Sequence, residues 1–404
     1  MQAVILGGGK GERLGAIAAG RAKPLIEVGG KPFVRYLIDN LRRFGFDDIV
    51  MLAGPFAEAY RDCFGDTVTI VPESPPAGTG GALVHAGPYL RATFLLLNGD
   101  SYFDFNWLDL AARPLGRRSL ARLALREVPD CGRFGAVTMT DERIVRFAEK
   151  STSEAGLINA GIYWMRHDIV DELGPSPVSL EREVLPRLAA RGALLGTAYA
   201  GSFIDIGVPD ELARAARVMP QWERRPAAFL DRDGVINLDT GYVHRQRDFV
   251  WREGAAGAIK RLNDAGFFVF VVTNQSGIAR GLYGLRDVER LHRWINRELS
   301  RTGAHVDEFY FCPHHPDGIG RYRTVCECRK PAPGMILQAM REWPVERERS
   351  FLVGDKDIDM EAAKAAGVHG AMIGHIDAID EFCLRLLERH SVGHDDRPPH
   401  SAIL

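Results

Sequence analysis

The sequence predicts an α/β protein built as two domains. Three observations carry that expectation. Short apolar runs alternate with stretches of helical spacing, and these runs repeatedly end in glycine or a carboxylate. The pattern also starts afresh about halfway along the chain, at Phe229-Leu-Asp-Arg-Asp-Gly-Val-Ile-Asn237. Ligands of open α/β sheets bind beyond the carboxyl ends of the strands, so residues there are the functional candidates.

Length and composition agree. At ~100–200 residues per domain, 404 residues suit two domains. An apolar share of 46%, a charged share of 26% and a net charge of −2 describe an ordinary globular chain. Nothing in that balance points to nucleic acid or an anionic membrane as partner. No apolar run is long enough to span a bilayer. The opening Met1-Gln-Ala-Val-Ile-Leu has no basic segment, so no signal peptide and a cytoplasmic location are expected. Six cysteines do not make a disulfide framework.

In the first half, Ala3–Leu6 reads as a strand followed by Gly7-Gly-Gly-Lys-Gly-Glu-Arg-Leu-Gly15 and a helix. Bare backbone N–H groups in such a turn cradle an anion. It is neither a dinucleotide fingerprint nor a Walker A loop, because Glu12 and Leu14 stand where a third glycine belongs and no Gly-Lys-Ser/Thr follows. Alone it is a structural turn; Arg13 and Lys23 nearby add the cations a polyphosphate needs. Pro32–Phe44 has helical spacing, and Ile49–Ala53 reads as the next strand. Glu73-Ser-Pro-Pro-Ala-Gly-Thr-Gly-Gly-Ala82 reads as a second glycine turn, either a plain loop or a backbone wall against a nucleotide base. Thr93–Leu97 is a nearly all-apolar strand ending in Asn98-Gly-Asp100, where the acid is a metal ligand or a turn cap.

The order Gly-Gly-x-Gly-x-Arg13, Lys23-Pro-Leu, Gly78-Thr-Gly-Gly-Ala, Asn98-Gly-Asp, Asn159-Ala-Gly and Asp205-Ile-Gly resembles the sugar-phosphate nucleotidyltransferases. The resemblance implies a Rossmann-like mixed sheet on which a sugar 1-phosphate attacks the α-phosphorus of a nucleoside triphosphate. It implies that Gly8, Gly9 and Gly11 cradle the triphosphate, with Arg13 and Lys23 offsetting its charge. Gly78, Thr79 and Gly80 would face the nucleotide, Asp100 and Asp205 would hold Mg²⁺, and Glu149 and Asn159 would bind sugar hydroxyls. Ala22 stands where the family often has proline.

In the second half, Asp231 and Asp233 leave the apolar run Ala227–Leu230 together, a pairing suited to Mg²⁺ and phosphate. Phe267–Val272 ends in Thr273-Asn-Gln-Ser-Gly-Ile-Ala-Arg-Gly281, Lys330 lies in Cys328-Arg-Lys-Pro331, and Phe351-Leu-Val-Gly-Asp355 repeats strand-then-acid. Cys312-Pro-His-His-Pro316 and Cys326-Glu-Cys328 supply a Cys₃His set for structural zinc, with Cys312, Cys326, Cys328 and His314 as ligands and His315 as the rival histidine.

Asp-x-Asp, Thr-Asn, Lys-Pro and Gly-Asp in that order resemble the haloacid-dehalogenase-like phosphatases, and no large cap insert is visible between Asp233 and Thr273. The resemblance implies Asp231 as the nucleophile and Asp233 as the acid/base. Thr273 and Lys330 would hold the phosphoryl group, with Asn274, Gln275, Ser276 and Arg329 beside the substrate. Asp231, Asp233 and Asp355 would hold Mg²⁺. The zinc loop and Gly241-Tyr-Val narrow the likeness to D-glycero-D-manno-heptose 1,7-bisphosphate 7-phosphatases and the related histidinol phosphatases across 227–375.

The expected organisation is a nucleotidyltransferase domain at 1–219, a linker at 220–226, a phosphatase domain at 227–393 and a disordered tail at 394–404. Together the resemblances imply a bifunctional enzyme. Its phosphatase would make heptose 1-phosphate, and its transferase, similar to the D-glycero-α-D-manno-heptose 1-phosphate guanylyltransferases, would join that product to GTP. The expected partners are small molecules: heptose phosphates and a nucleoside triphosphate. Three alternatives stand beside this reading: a histidinol-phosphatase-like second half, a transferase of different sugar and base, and a first half that only senses nucleotide sugars. The survival of Arg13, Lys23, Asp100 and Asp205 argues against the sensor.

Overall fold

The computed structural model describes residues 1–390 apart from Lys10, Ala19, 74–76, 133–135, 148–153, 175–176 and 375–376. The expected tail at 394–404 lies outside the described residues. The chain divides into two compact units, one running from Met1 to Gln221 and the other starting at Trp222.

The first unit contains β1 (Gln2–Leu6), β2 (Glu27–Val28), β3 (Lys31–Pro32), β4 (Asp48–Gly54), β5 (Thr69–Pro72), β6 (Thr93–Asn98) and β7 (Ser101–Phe103). β8 (Ala121–Val128), β9 (Ala136–Thr140), β10 (Arg143–Phe147), β11 (Gly156–Arg166), β12 (Leu194–Ala198) and β13 (Phe203–Asp205) follow. Nine of these form one mixed sheet in the order β5-β4-β1-β6-β11-β8-β12-β10-β9. β1 lies parallel to both β4 and β6, so Leu6, Leu52 and Asn98 reach the same sheet edge. The strands hold that edge because their side chains are buried: Val4, Val50, Leu96, Leu123 and Tyr163 share one core with Leu83, Leu185 and Leu188.

β11 bulges against β8 between Asn159 and Tyr163. Gly161 takes a φ of +76° there, and a Cβ on it would come within 2.8 Å of Asn98 Nδ2 and 2.9 Å of Ser101 Oγ. Only glycine lets the bulge sit against that strand end. The small ribbon β7–β13 pairs Ser101 with Asp205, and Ile206 N–H donates to Asp100 O at 3.0 Å. Acids more than a hundred positions apart are thereby set side by side.

Two local expectations need correction. The segment after the first glycine turn is not an α-helix but a 3₁₀ stretch, Glu12–Ile17, broken at Gly15 with φ 54° and ψ −125°. A residue in that region cannot carry helical backbone, so no regular helix N-terminus backs the glycine loop. In the second motif, Gly78–Gly81 are not a turn before a helix but the first turn of the helix Gly78–Ala86. The closing helix runs Pro209–Trp222, into the stretch expected as linker, and Arg225 beyond it is buried and bridged to Val345.

The second unit is an all-parallel sheet, β16-β15-β14-β17-β18, made of β14 (Ala227–Leu230), β15 (Phe268–Asn274), β16 (Glu308–Cys312), β17 (Phe351–Gly354) and β18 (His369–Met372). Ala228, Leu230, Val269 and Val271 pack into one core with Ile259, Leu262 and Ile295. Ala227, Phe229, Phe268 and Phe270 pack into another with Met335, Ile336 and Ala362. Burial on both faces explains the unbroken apolar runs. β14, β15 and β17 end together, which delivers Asp231, Thr273 and Asp355 to one edge.

Candidate active sites and metal centre

At the carboxyl edge of the first sheet, Gly8, Gly9, Lys23, Gly78, Thr79, Asn98 and Asp100 line a cavity of about 360 Å³, with Glu73 and Glu181 also on its wall. Lys23 is 7% exposed, and its backbone N–H is tied to Gly9 O at 3.0 Å. Its Nζ lies 2.7 Å from Asp100 Oδ2 and 3.5 Å from Asp205 Oδ1. One ammonium against two carboxylates leaves a negative site that also suits a divalent cation. The other expected residues among those described are not on the cavity wall. Gly11 packs under Lys23, Arg13 is exposed, Gly80 is buried in the helix, and Asp205 flanks Lys23. Asn159 is spent on Tyr163 OH at 2.8 Å and Gly161 N at 3.1 Å, and Glu149 lies outside the described residues.

Glu181 was not legible in the sequence. It accepts from Thr79 Oγ1 at 2.8 Å because Val178 docks on the glycine helix, with Gly80 N–H donating to Val178 O at 3.0 Å. Locally, Ser179 and Glu183 look like ordinary helix capping, which hides the tertiary role.

In the second unit, Asp231, Asp233, Thr273, Asn274, Gln275, Ser276 and Lys330 line a cavity of about 230 Å³. Lys330 Nζ lies 2.8 Å from Asp231 Oδ1, 2.6 Å from Asp359 Oδ1 and 2.7 Å from Val272 O. Asn274 fixes the lysine's backbone from both sides, donating to Lys330 O at 3.0 Å and accepting from Lys330 N at 3.1 Å. Burial pushes the Asp231 carboxyl up to about 6; Lys330 opposes this and Asp359 adds to it. Burial likewise raises Asp355. Gly234, at φ +96°, turns directly against the Asp355 carboxylate, where a side chain would collide.

Asp231, Asp355 and Asp359 each present a carboxylate oxygen within 4.8 Å of the others, a spacing that can hold a cation. The Asp233 carboxylate is outside this cluster. Arg232, fully buried, grips it with 2.8 and 3.0 Å contacts, and Asn237 and Gln275 donate to it at 3.0 and 3.1 Å. Arg232 also donates to Val243 O at 2.6 Å and approaches His292 Nε2 at 3.4 Å. Burial, then the Arg232 charge, holds His292 well below its usual range, so it is neutral. Sequence reasoning missed Arg232, and it noted Asp359 only as following Asp355, without a role in the site. Asp359 also accepts from Lys356 N–H at 3.1 Å, a capping pattern that masks its pairing with Lys330. Arg329 does not line the cavity; its guanidinium donates to His314 O at 3.1 Å.

Cys312, His314, Cys326 and Cys328 converge within 4.8 Å. The Sγ atoms are separated by 3.5, 3.1 and 3.3 Å, and His314 Nδ1 lies 3.4 Å from Cys328 Sγ and 3.8 Å from Cys312 Sγ. A tetrahedral zinc with Zn–S of about 2.3 Å needs ligand edges of about 3.8 Å, close to these. His315 turns away to Arg280 at 3.2 Å and Asp317 N at 3.1 Å. Of the two histidines, His314 joins the cysteines.

Comparison with known proteins assigns both units to families. The nucleotidyl transferase family model matches residues 2–221, and a HAD-hydrolase-like model matches 327–375. The D-glycero-beta-D-manno-heptose-1,7-bisphosphate 7-phosphatase of Rhodopseudomonas palustris is 52% identical over 165 residues, 41% of this chain and 91% of that protein. The same-named protein of Escherichia coli K12 is 47% identical over 144 residues, 35% of this chain and 75% of that protein. A crystal structure of HddC from Yersinia pseudotuberculosis with GMP-PN is 28% identical, covering 54% of this chain and 99% of that chain with a TM-score of 0.49. The chain is a nucleotidyltransferase joined to a HAD-like phosphatase, an enzyme with two activities. It belongs to the nucleotidyl transferase family through its first unit and to the family of those heptose bisphosphate phosphatases through its second.

Among the described residues, no helix is long and apolar enough to cross a membrane.

Proposed function

We propose that the second unit removes the 7-phosphate of D-glycero-D-manno-heptose 1,7-bisphosphate and that the first joins the resulting 1-phosphate to GTP, releasing pyrophosphate. The observation that carries this reading is the pairing itself. A unit 52% identical to a heptose bisphosphate 7-phosphatase leaves a sugar 1-phosphate, which is the class of substrate a sugar nucleotidyltransferase consumes.

In the phosphatase, Asp231 attacks the 7-phosphorus while Asp233 gives a proton to the departing sugar oxygen. Water then attacks the aspartyl-phosphate, Asp233 takes its proton, and inorganic phosphate leaves. Lys330 and Thr273 hold the phosphoryl oxygens. Asp231, Asp355 and Asp359 suit Mg²⁺, which would offset the repulsion between carboxylate and phosphate. Arg232 keeps the Asp233 carboxylate in one orientation. Structural zinc on Cys312, His314, Cys326 and Cys328 would stiffen the loop that carries Arg329 and Lys330.

In the transferase, a 1-phosphate oxygen attacks the α-phosphorus, and the bond to the β-phosphate breaks. Gly8, Gly9, Gly11, Arg13 and Lys23 meet the triphosphate, and Asp100 with Asp205 suits Mg²⁺. Glu149 is assigned to the sugar, as is Asn159, which would exchange its contact with Tyr163 for a sugar hydroxyl. Glu73 and Glu181, both on the cavity wall, offer acceptors of the kind that guanine's N–H and amino donors need.

Removing the 7-phosphate leaves C1 untouched, so the anomer that enters the phosphatase is the anomer handed on. The relatives of the phosphatase unit are named for the β-anomer, whereas the guanylyltransferases that the first half resembles are named for the α-anomer, so the two units must share one of them. The test supplies α- and β-heptose 1,7-bisphosphate with Mg²⁺ and each nucleoside triphosphate in turn, reading phosphate, pyrophosphate and nucleotide sugar. One anomer and GTP should give all three. Phosphate release without any nucleotide sugar would separate the two halves of the reading and overturn the second.

A further inference from the structure

The transferase unit carries a second, strongly basic concavity that neither reaction uses. The turn 113–119 divides two adjoining hollows that share Arg113, Pro114, Leu115 and Gly116. One, of about 600 Å³, gathers Arg113, Arg117, Arg118, Arg122 and Arg143 around a single carboxylate, Glu142. The other, of about 680 Å³, is lined by Ala92, Ala111, Ala112 and Trp164 together with Arg166, His167 and Asp168, the arginine and aspartate being paired at 2.5 Å. Both lie away from the nucleotide cavity. Thr93, which opens β6, lines the second hollow, whereas Asn98, which ends it, lines the cavity. At ~3.3 Å per residue, the length of that strand separates them by roughly 17 Å.

The local charges do not balance. Arg113 is matched by Asp109 at 2.8 Å, and Arg122 meets Glu142 at 3.1 Å, although the Glu142 side chain is 59% exposed. Arg143 donates to Gly192 O at 3.0 Å. The exposed Arg117 and Arg118 side chains have no polar partner among the described residues. Arg122, 2% exposed, is fixed by Thr197 Oγ1 at 3.0 Å and Pro114 O at 3.2 Å, yet its buried Nε–H has no acceptor among those residues. Guanidinium forks match phosphate oxygens in pairs. A concavity lined by one sign of charge concentrates counter-ions. The adjoining hollow, on the other side of the turn, offers Trp164 and three alanines beside the neutralised Arg166–Asp168 pair, so it can take an uncharged ring.

We propose that this is a binding site for a small molecule bearing two or more phosphates, with a nucleoside diphosphate as the best-fitting class. The test uses the full chain with Lys23→Ala, which weakens phosphate binding in the catalytic cavity. It is titrated in Mg²⁺-free buffer by calorimetry, with GDP in one arm and inorganic tripolyphosphate in the other. Both should bind, with affinity falling as salt rises from 50 to 200 mM. Tighter binding of GDP assigns the hollow beside Trp164 to the nucleoside; equal binding assigns the site to the phosphates alone. Adding Arg117→Ala with Arg118→Ala should weaken both ligands at least tenfold, and Glu142→Gln should tighten them. In the otherwise unaltered chain, the arginine pair should leave both enzymatic activities intact. Unchanged affinity and stoichiometry in the arginine variant would overturn the proposal. So would a change in its sedimentation coefficient without any anion binding, which would make this surface a contact between copies of the chain.

Discussion

Lys330→Met is the sharpest test of the phosphatase site. Lys330 is 3% exposed, and its ammonium lies 2.8 Å from Asp231 and 2.6 Å from Asp359. At an effective dielectric constant of about 20, each contact amounts to roughly 6 kcal/mol of attraction, most of it offset by desolvation. Removing one member of a buried pair costs ~3–5 kcal/mol, because the other charge is left without a partner. Methionine keeps the volume, so packing adds little. The penalty should depend on pH, with a sign that follows from Asp231, whose carboxyl is pushed from 3.8 up to about 6 by burial despite Lys330. A carboxyl raised in the folded state lowers stability once it ionises, from about pH 4 upward. Without the ammonium, that rise is larger. Lys330 itself is raised by its carboxylate partners against burial, so it stays charged across this window and adds no slope. The variant should therefore lose ~3–5 kcal/mol at pH 7.5 and clearly less at pH 5. Calorimetric scanning in Mg²⁺-free buffer, following the phosphatase unit's own transition, reads this as a fall in Tm of roughly 6–20 °C at pH 7.5. A loss below ~1 kcal/mol, the range of an exposed ion pair, would refute the reasoning. So would an equal loss at both pH values.

Other outcomes follow from the same geometry. Arg232→Met should lower phosphatase kcat roughly 100-fold with KM nearly unchanged, and Arg232→Lys should restore little, since an ammonium cannot make the paired contact to Asp233; a change confined to KM would count against a positioning role. Cys326→Ser should reduce bound zinc, measured by mass spectrometry of the metal, and lower the phosphatase unit's Tm while nucleotidyl transfer persists; full zinc retention would remove Cys326 from the centre. Mg²⁺ affinity of the phosphatase site, measured by calorimetry, should weaken as pH falls below about 6, where Asp231 takes up a proton; a flat profile would exclude Asp231 as a ligand. Asp100→Asn should abolish most nucleotidyl transfer and spare phosphate release, and intact transfer would take Asp100 out of that site.

The legible parts of this protein were those whose signal is local. Ala227–Leu230 and Phe268–Val272 are apolar throughout because both faces of their strands are covered, and the acids and hydroxyls at their ends follow directly. The Cys-x-His and Cys-x-Cys pairs were equally plain, since metal-ligand spacing is a short-range pattern. What escaped was set by tertiary approach. Glu181 reaches Thr79 only because Val178 docks against the glycine helix. Asp359 resembles a helix cap until Lys330 arrives from a distant loop. Arg232 sits between the two acids that define the motif and reads as filler. Yet it is fully buried and cationic, and a buried charge persists only where something opposite in sign is held against it. That rule could have assigned it to Asp233 from the sequence, had its burial on the strand end been inferred from the apolar run before it. The glycine loop failed in the other direction. Gly7–Gly15 suggested a loop feeding a helix, but the abundance of glycine that frees the turn also breaks the helix at Gly15. On the proposed reading, the phosphates of the transferase substrate would be met by loop N–H groups, Lys23 and Arg13 without a long helix dipole behind them. That reading would place more of the charge compensation on Lys23, whose ammonium already sits between Asp100 and Asp205.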